Sequence, residues 1–127
     1  MIIDTDVLIW LLRGDRKAAA AVDRAEARAL SAVTYMELIQ GARDKGELLA
    51  IKALLIDLQL RLLPLSENIG HRASIYMEEY GLASSLSMAD ALIAATAVEA
   101  GEPLLTGNAK DFRAIRELDL KRFRPAV

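Results

Sequence analysis

The 127-residue chain has no cysteine and a single histidine, His71. Disulfides, thiolate metal sites and cysteine nucleophiles are therefore excluded, as is a zinc site built from several histidines. Nor is there an excess of basic charge: 16 Lys and Arg stand against 18 Asp and Glu, a formal net charge of -2. General nucleic-acid binders are usually basic, so any such contact must come from a local basic patch or from bound metal. Long hydrophobic runs are missing too. None approaches the roughly 18 residues of a membrane-spanning helix, and the first residues lack the basic stretch and cleavable apolar segment of an export signal. A soluble, cytoplasmic protein with no membrane association is the expectation. Hydrophobic residues make up 54% of the chain, enough for a real core, and the length favours one domain spanning residues 1–127.

The opening stretch, MIIDTDVLIWLL, organises the rest. The β-branched pair Ile2 and Ile3 runs into Asp4-Thr5-Asp6, and an apolar run follows from Val7. This reads as a short buried strand over 2–4 that turns into a helix over 7–13, stopped by Gly14. Good helix formers fill 17–28, and 29–33 reads as a second strand. A helix opens at Thr34 and stops near Gly41, and Gly46 marks a further break. Leu48, Ile51, Leu54, Leu55 and Leu58 recur at helical spacing over 47–58. Residues 60–65, interrupted by Pro64, fit a short edge strand. A helix over 67–80 ends at Gly81, and a polar loop covers 83–87. Ser87 caps a helix over 88–100 that Gly101 stops. A strand over 103–106, a short helix from Asn108 through Leu118 and an edge strand over 120–123 complete the chain. Strands alternating with helices predict an α/β fold with a parallel sheet wrapped by helices.

Four acids stand near predicted strand ends or helix starts: Asp4, Glu37, Asp90 and Asp111. One reading is structural. Thr34-x-x-Glu37, Ser87-x-x-Asp90 and Asn108-x-x-Asp111 each match a helix cap followed three residues later by an acid, and an acid in a first turn suits the helix dipole. Asp4 and Asp6 would then be turn residues. The other reading is functional. Strands run into Asp4, Thr34 and Thr106, and in a parallel sheet those ends share one edge, where ligands bind. Asp90 begins a helix that is apolar nearly all round, so its start lies close to the sheet. Two like charges about 4 Å apart cost on the order of 4 kcal/mol at an effective dielectric of 20. Divalent cations would relieve that repulsion, and hard oxygen ligands select Mg²⁺ or Mn²⁺. Such a pocket suits phosphodiester hydrolysis by metal-activated water.

MIIDTDVLI, Thr34-x-x-Glu37-Leu38, the run Ala89 to Ala95 around Asp90, and Thr106-Gly107-Asn108-x-x-Asp111-Phe112 occur in the order seen in PIN-domain proteins. Over essentially its whole length the chain resembles a toxin ribonuclease of the VapC type. The resemblance implies a three-layer α/β/α domain with a central, mainly parallel sheet. It also implies an endoribonuclease that cleaves RNA with Mg²⁺ or Mn²⁺, and a VapB-like antitoxin as partner. By position, Asp4, Glu37 and Asp90 match the family's acidic metal-site residues, and Thr5 and Asp6 match supporting positions. Asn is common where Asp6 stands. Asn108 occupies a place where many members carry Asp, so Asp111 is assigned the fourth acidic position, with Asn108 and Thr106 supporting it. A PIN-like domain that binds RNA or protein without cleaving is the alternative.

Asp4-x-Asp6-Val7 also resembles the opening of haloacid-dehalogenase-type phosphatases, but the later Lys and paired acids of that pattern have no convincing place here. His71 reads as a helix-surface residue and Trp10 as core. Arg13, Arg16 and Lys17, then Arg43 and Lys45, then Lys110 and Arg113 form basic clusters. Each is either a solvated face or a phosphate contact beside the acids. The leucine stripe over 47–58 reads as core that also offers surface to an antitoxin or to a homodimer.

Overall fold

A computed structural model describes residues Met1–Val127. The first half comprises β1 (Ile2–Ile3), α1 (Thr5–Leu12), α2 (Arg16–Arg24), β2 (Ala29–Ser31), α3 (Ala32–Gln40), α4 (Lys45–Asp57) and β3 (Arg61–Leu63). The second half comprises α5 (Glu67–Tyr80), α6 (Met88–Ala100), β4 (Leu104–Thr106), α7 (Ala109–Phe112) and β5 (Leu120–Arg122). The five strands form one sheet in the order β3-β2-β1-β4-β5, and every pairing is parallel.

Two cores, one on each face, make the three layers. Side chains alternate across a strand, and each inner strand divides its residues accordingly. Ile2, Ala29 and Leu104 join Ile93, Phe112 and other residues of α5 to α7 on one face. Ile3, Leu30 and Leu105 join Val7, Val22 and Ile51 on the other, under α1, α2 and α4. Inner strands buried on both faces explain why Ile2-Ile3 and Leu104-Leu105 carry no polar alternation. The largely exposed β3 and β5 lie at the edges, as expected. No helix is long and apolar enough to cross a membrane.

Several predicted boundaries shift for physical reasons. Helix α1 begins at Thr5, because Asp4 already serves as its cap. Helix α3 begins at Ala32, capped by Ser31 at the very end of β2. Gly46 is no break: it lies in the first turn of α4, which Asp44 caps. Helix α7 is four residues long rather than reaching Leu118. His71 is exposed as expected. Trp10 is half-buried against the second core, with the Arg13 guanidinium 5.5 Å from its ring centre.

Candidate active site

The chain lays down β1, β2 and β3 outward, and then α5 and α6 return it to the other side of β1 for β4 and β5. The strand order therefore reverses between β1 and β4. After β1 the chain enters α1 on one face, and after β4 it enters α7, whose Phe112 packs into the opposite core. Connections that part in this way open a crevice at the carboxyl ends of the strands.

Asp4 sits in that crevice, only 5% exposed. Its Oδ1 accepts from the Thr5 backbone N–H at 2.8 Å, which caps α1. Its Oδ2 accepts from the Thr106 hydroxyl at 2.7 Å, at the end of the neighbouring strand. The same Thr106 oxygen accepts from the Asn108 N–H at 3.0 Å. Thr5 reaches in the other direction: its hydroxyl lies 2.6 Å from Glu37 Oε1 and 3.0 Å from the Thr34 hydroxyl. One threonine thus ties the crevice floor to α3.

The site corrects the capping-box reading of Thr34-x-x-Glu37. Ser31 caps α3 through the Val33 N–H at 3.0 Å, so Glu37 stands in mid-helix and caps nothing. Asn108 likewise makes no side-chain cap bond to α7. Asp111 instead accepts from the Ser85 hydroxyl at 2.8 Å. The Ser87–Asp90 box is real, with both reciprocal bonds formed. Asp90 nevertheless stands near other acids, since the charges of Asp111 and Glu37 both bear on it.

Asp6, one residue past Thr5, is held by the Gly107 N–H, which donates to Oδ2 at 2.9 Å. A Cβ on Gly107 would lie 2.3 Å from that oxygen, so a side chain there would push the Asp6 carboxylate out of this position. The other oxygen, Oδ1, is buried with no hydrogen-bond partner.

The electrostatics follow from burial and crowding. Burial pushes the Asp4 carboxyl up to about 7; the charges of Asp6 and Asp90 add to this, and the bonds from Thr106 and Thr5 oppose it. Burial also raises Asp6 against the pull of Gly107. Asp90 is raised by burial first, against its Ser87 bonds, with Asp111 and Glu37 adding to the rise. The five acids meet only hydroxyls and backbone N–H groups; none forms an ion pair. A cluster of that kind stores unrelieved negative charge in a half-buried crevice.

The PIN domain family profile matches residues 1–118. The chain belongs to the PIN-domain family. Ribonuclease VapC28 of Mycobacterium tuberculosis is 31% identical over 115 residues, covering 83% of this chain and 86% of that protein. A toxin-antitoxin complex from Klebsiella pneumoniae contains a chain 30% identical to this one, with a TM-score of 0.75, covering 92% of this chain and 93% of the other. VapBC-1 from nontypeable Haemophilus influenzae shares the PIN fold at 23% identity and a TM-score of 0.79, covering 95% and 96% of the two chains.

The donor set of this PIN domain is entirely oxygen, which suits Mg²⁺ or Mn²⁺, and the orphaned Asp6 Oδ1 can take a proton, a water or a cation as its missing partner. The carboxylates are not closed round one point: no three of them are arranged as ligands of a single ion. The chemical fit is carried by charge and donor type. Sequence reasoning missed Ser85, Gly107 and the bond from Thr34 to Thr5. Ser85 lies in a polar loop with no motif. A glycine directly after a strand was a legible sign of close backbone approach.

Proposed function

We propose that this chain is a divalent-metal-dependent endoribonuclease and the toxin half of a type II toxin-antitoxin pair. The observation that carries the reading is Asp4, buried at the strand-order reversal among acids that have no cationic partner. Membership of the PIN-domain family supports it, as do relatives named as VapC ribonucleases. Asp4 and Asp90 are the residues to hold Mg²⁺ or Mn²⁺ directly, with Glu37 completing the pocket and Asp111 adding charge at its rim. When bound, the ion lowers the pKa of a water and balances phosphate charge. Thr5 fixes the Glu37 carboxylate, Thr106 fixes that of Asp4, and Asp6 braces the Thr106-Gly107-Asn108 turn. These side chains arrive pre-oriented, which lowers the cost of organising the site.

The partner reading rests on the relative from Klebsiella pneumoniae, which was solved as a toxin-antitoxin complex. A groove of about 520 Å³ between α1, α3 and α4, lined by Ile9, Leu12, Leu38 and Ile51, runs to Glu37 and Arg13. It suits an antitoxin segment that carries apolar side chains to the rim of the site. Exposed Leu49 and Ile56 on α4 add apolar surface for a homodimer. The protein acts in the cytoplasm as one domain over residues 1–127.

The test is cleavage of single-stranded RNA by purified protein in EDTA, and after Mg²⁺ or Mn²⁺ is added back. Cleavage only with metal is expected. Binding without cleavage at any metal concentration would instead leave a non-catalytic PIN domain.

A further inference from the structure

Beside the acidic crevice the molecule carries an edge of opposite sign. Arg122 of β5 pairs in register with Thr106, the residue whose hydroxyl holds Asp4. A cavity of about 230 Å³ opens there. It shares Thr106 and Gly107 with the crevice, and its cations are Lys110, Arg113, Arg122 and Arg124. A second cavity, of about 470 Å³, shares Arg122 and Arg124 and adds Lys17, Arg24 and Lys121. No acid lines either one. All seven cations are exposed, and of them only Lys121 forms a close ion pair, with Asp119 at 3.6 Å.

A chain of net charge -2 has acids enough to pair these cations, yet Lys110, Arg113, Arg122 and Arg124 form no ion pair along this edge. The segment that carries them is anchored. Phe123 is buried in the second core, and its N–H donates to the Thr106 carbonyl at 2.9 Å. The Ala126 N–H donates to Asp15 Oδ2 at 2.8 Å. Arg122 and Arg124 therefore project from a fixed backbone on either side of a core residue.

We infer that the cationic edge of Lys110, Arg113, Arg122 and Arg124 binds the phosphate backbone of the RNA that the acidic crevice is proposed to cleave. The inference rests on the ribonuclease reading for the identity of the polyanion. Charge complementarity and continuity through Thr106-Gly107 carry its placement. Cations on such an edge position the strand without reading its sequence. They also offset the repulsion that the acids exert on an incoming phosphate.

The experiment is fluorescence anisotropy with labelled oligouridylate in EDTA, at a series of salt concentrations. Without metal the acidic crevice only repels RNA, so binding reports the edge. Wild type should bind, with affinity falling steeply as salt rises. Removing two phosphate contacts by Arg122→Gln with Arg124→Gln should lower the salt slope by about 1.4 and the affinity at low salt by roughly tenfold or more. Lys52→Gln, an exposed lysine of α4 outside both cavities, should change neither. If the arginine pair fails to fold, Lys110→Gln with Arg113→Gln gives the same readout from another element.

An unchanged slope in the arginine variant, an equal loss in Lys52→Gln, or no binding by wild type would overturn the inference. Competition by polyglutamate as effective as that by oligouridylate would also overturn it, by marking the edge as an acidic-peptide surface. Cleavage measured in parallel with Mg²⁺ keeps the two readings apart. Arginine-dependent binding without cleavage supports the edge and refutes the nuclease.

Discussion

The two ends of the sheet treat carboxylates in opposite ways. At the amino end, each prominent acid has a cation. Glu102 meets the Met1 amino group at 3.2 Å, and Arg72 of α5 spans Glu99 at 2.6 Å and Glu117 at 2.8 Å, with the Tyr76 hydroxyl donating to Glu117 as well. At the carboxyl end, Asp4, Asp6, Glu37, Asp90 and Asp111 meet only neutral donors. The pKa shifts follow the partners. Glu117 is pulled below the usual range, first by Tyr76 and then by Arg72 against burial, whereas Asp4 is pushed to about 7, mainly by burial. The amino end joins α5, α6 and the segment after α7 by neutralised contacts. The carboxyl end keeps a charge that something else must neutralise.

Removing one carboxylate at each end gives the sharpest contrast. Asp4→Asn should abolish metal-dependent RNA cleavage, a loss of about a hundredfold or more, with the fold intact by circular dichroism. Glu99→Gln should leave cleavage unchanged and cost at most about 1 kcal/mol, as part-exposed ion pairs do. Full RNase activity in carefully purified Asp4→Asn protein would end the comparison.

The next effect is in pH. The folded pKa of Asp4 is about 7 against an ordinary 3.8. A raised carboxyl stabilises the fold fully below the ordinary value and ceases to do so as pH rises through the folded value. Metal-free stability should therefore fall from about pH 4 to pH 7, by an amount on the order of a few kcal/mol. Asp4→Asn should flatten that slope. Glu117 works in the other direction, adding stability above its ordinary 4.5 that is lost on acidification. Urea denaturation from well below pH 4 to above pH 7, in EDTA, measures both; a wild-type slope that Asp4→Asn leaves unchanged would count against the raised carboxyl.

Metal should act on one end only. At a hundredfold excess over Kd, Mn²⁺ should stabilise the protein by about 2.7 kcal/mol through mass action, seen as a higher melting temperature. Glu37→Gln or Asp90→Asn should raise the melting temperature in EDTA and shrink the gain from Mn²⁺. Identical melting curves with and without Mn²⁺ would remove the ion from the crevice.

The smallest effect separates Asp111 from a purely structural acid. It lies in the first turn of α7, yet its observed bond is to Ser85. Asp111→Asn should raise the metal concentration needed for half-maximal cleavage by several-fold, roughly 1 kcal/mol. Asn108→Asp should be tolerated or should lower that concentration. A metal titration of Asp111→Asn that superimposes on wild type would return this acid to the helix.

The sequence by itself determined the alternation of strands and helices, the buried doublets Ile2-Ile3 and Leu104-Leu105, and the cap and stop of α6 at Ser87 and Gly101. These are local signals: apolar periodicity, cap chemistry and a glycine in the left-handed region. The order of the acidic motifs was legible as well, because each is a short contiguous run. Only the tertiary structure decided that Glu37 caps nothing, that Thr5 bridges α1 to α3, and that Gly107 lies directly against the Asp6 carboxylate. It alone set Arg122 against Thr106. The Thr5 and Gly107 contacts join residues 29 to 101 positions apart, the cap of α3 turns on where β2 ends, and the Arg122 pairing turns on strand order. Strand order comes from closing the two cores around the sheet, which no local stretch encodes.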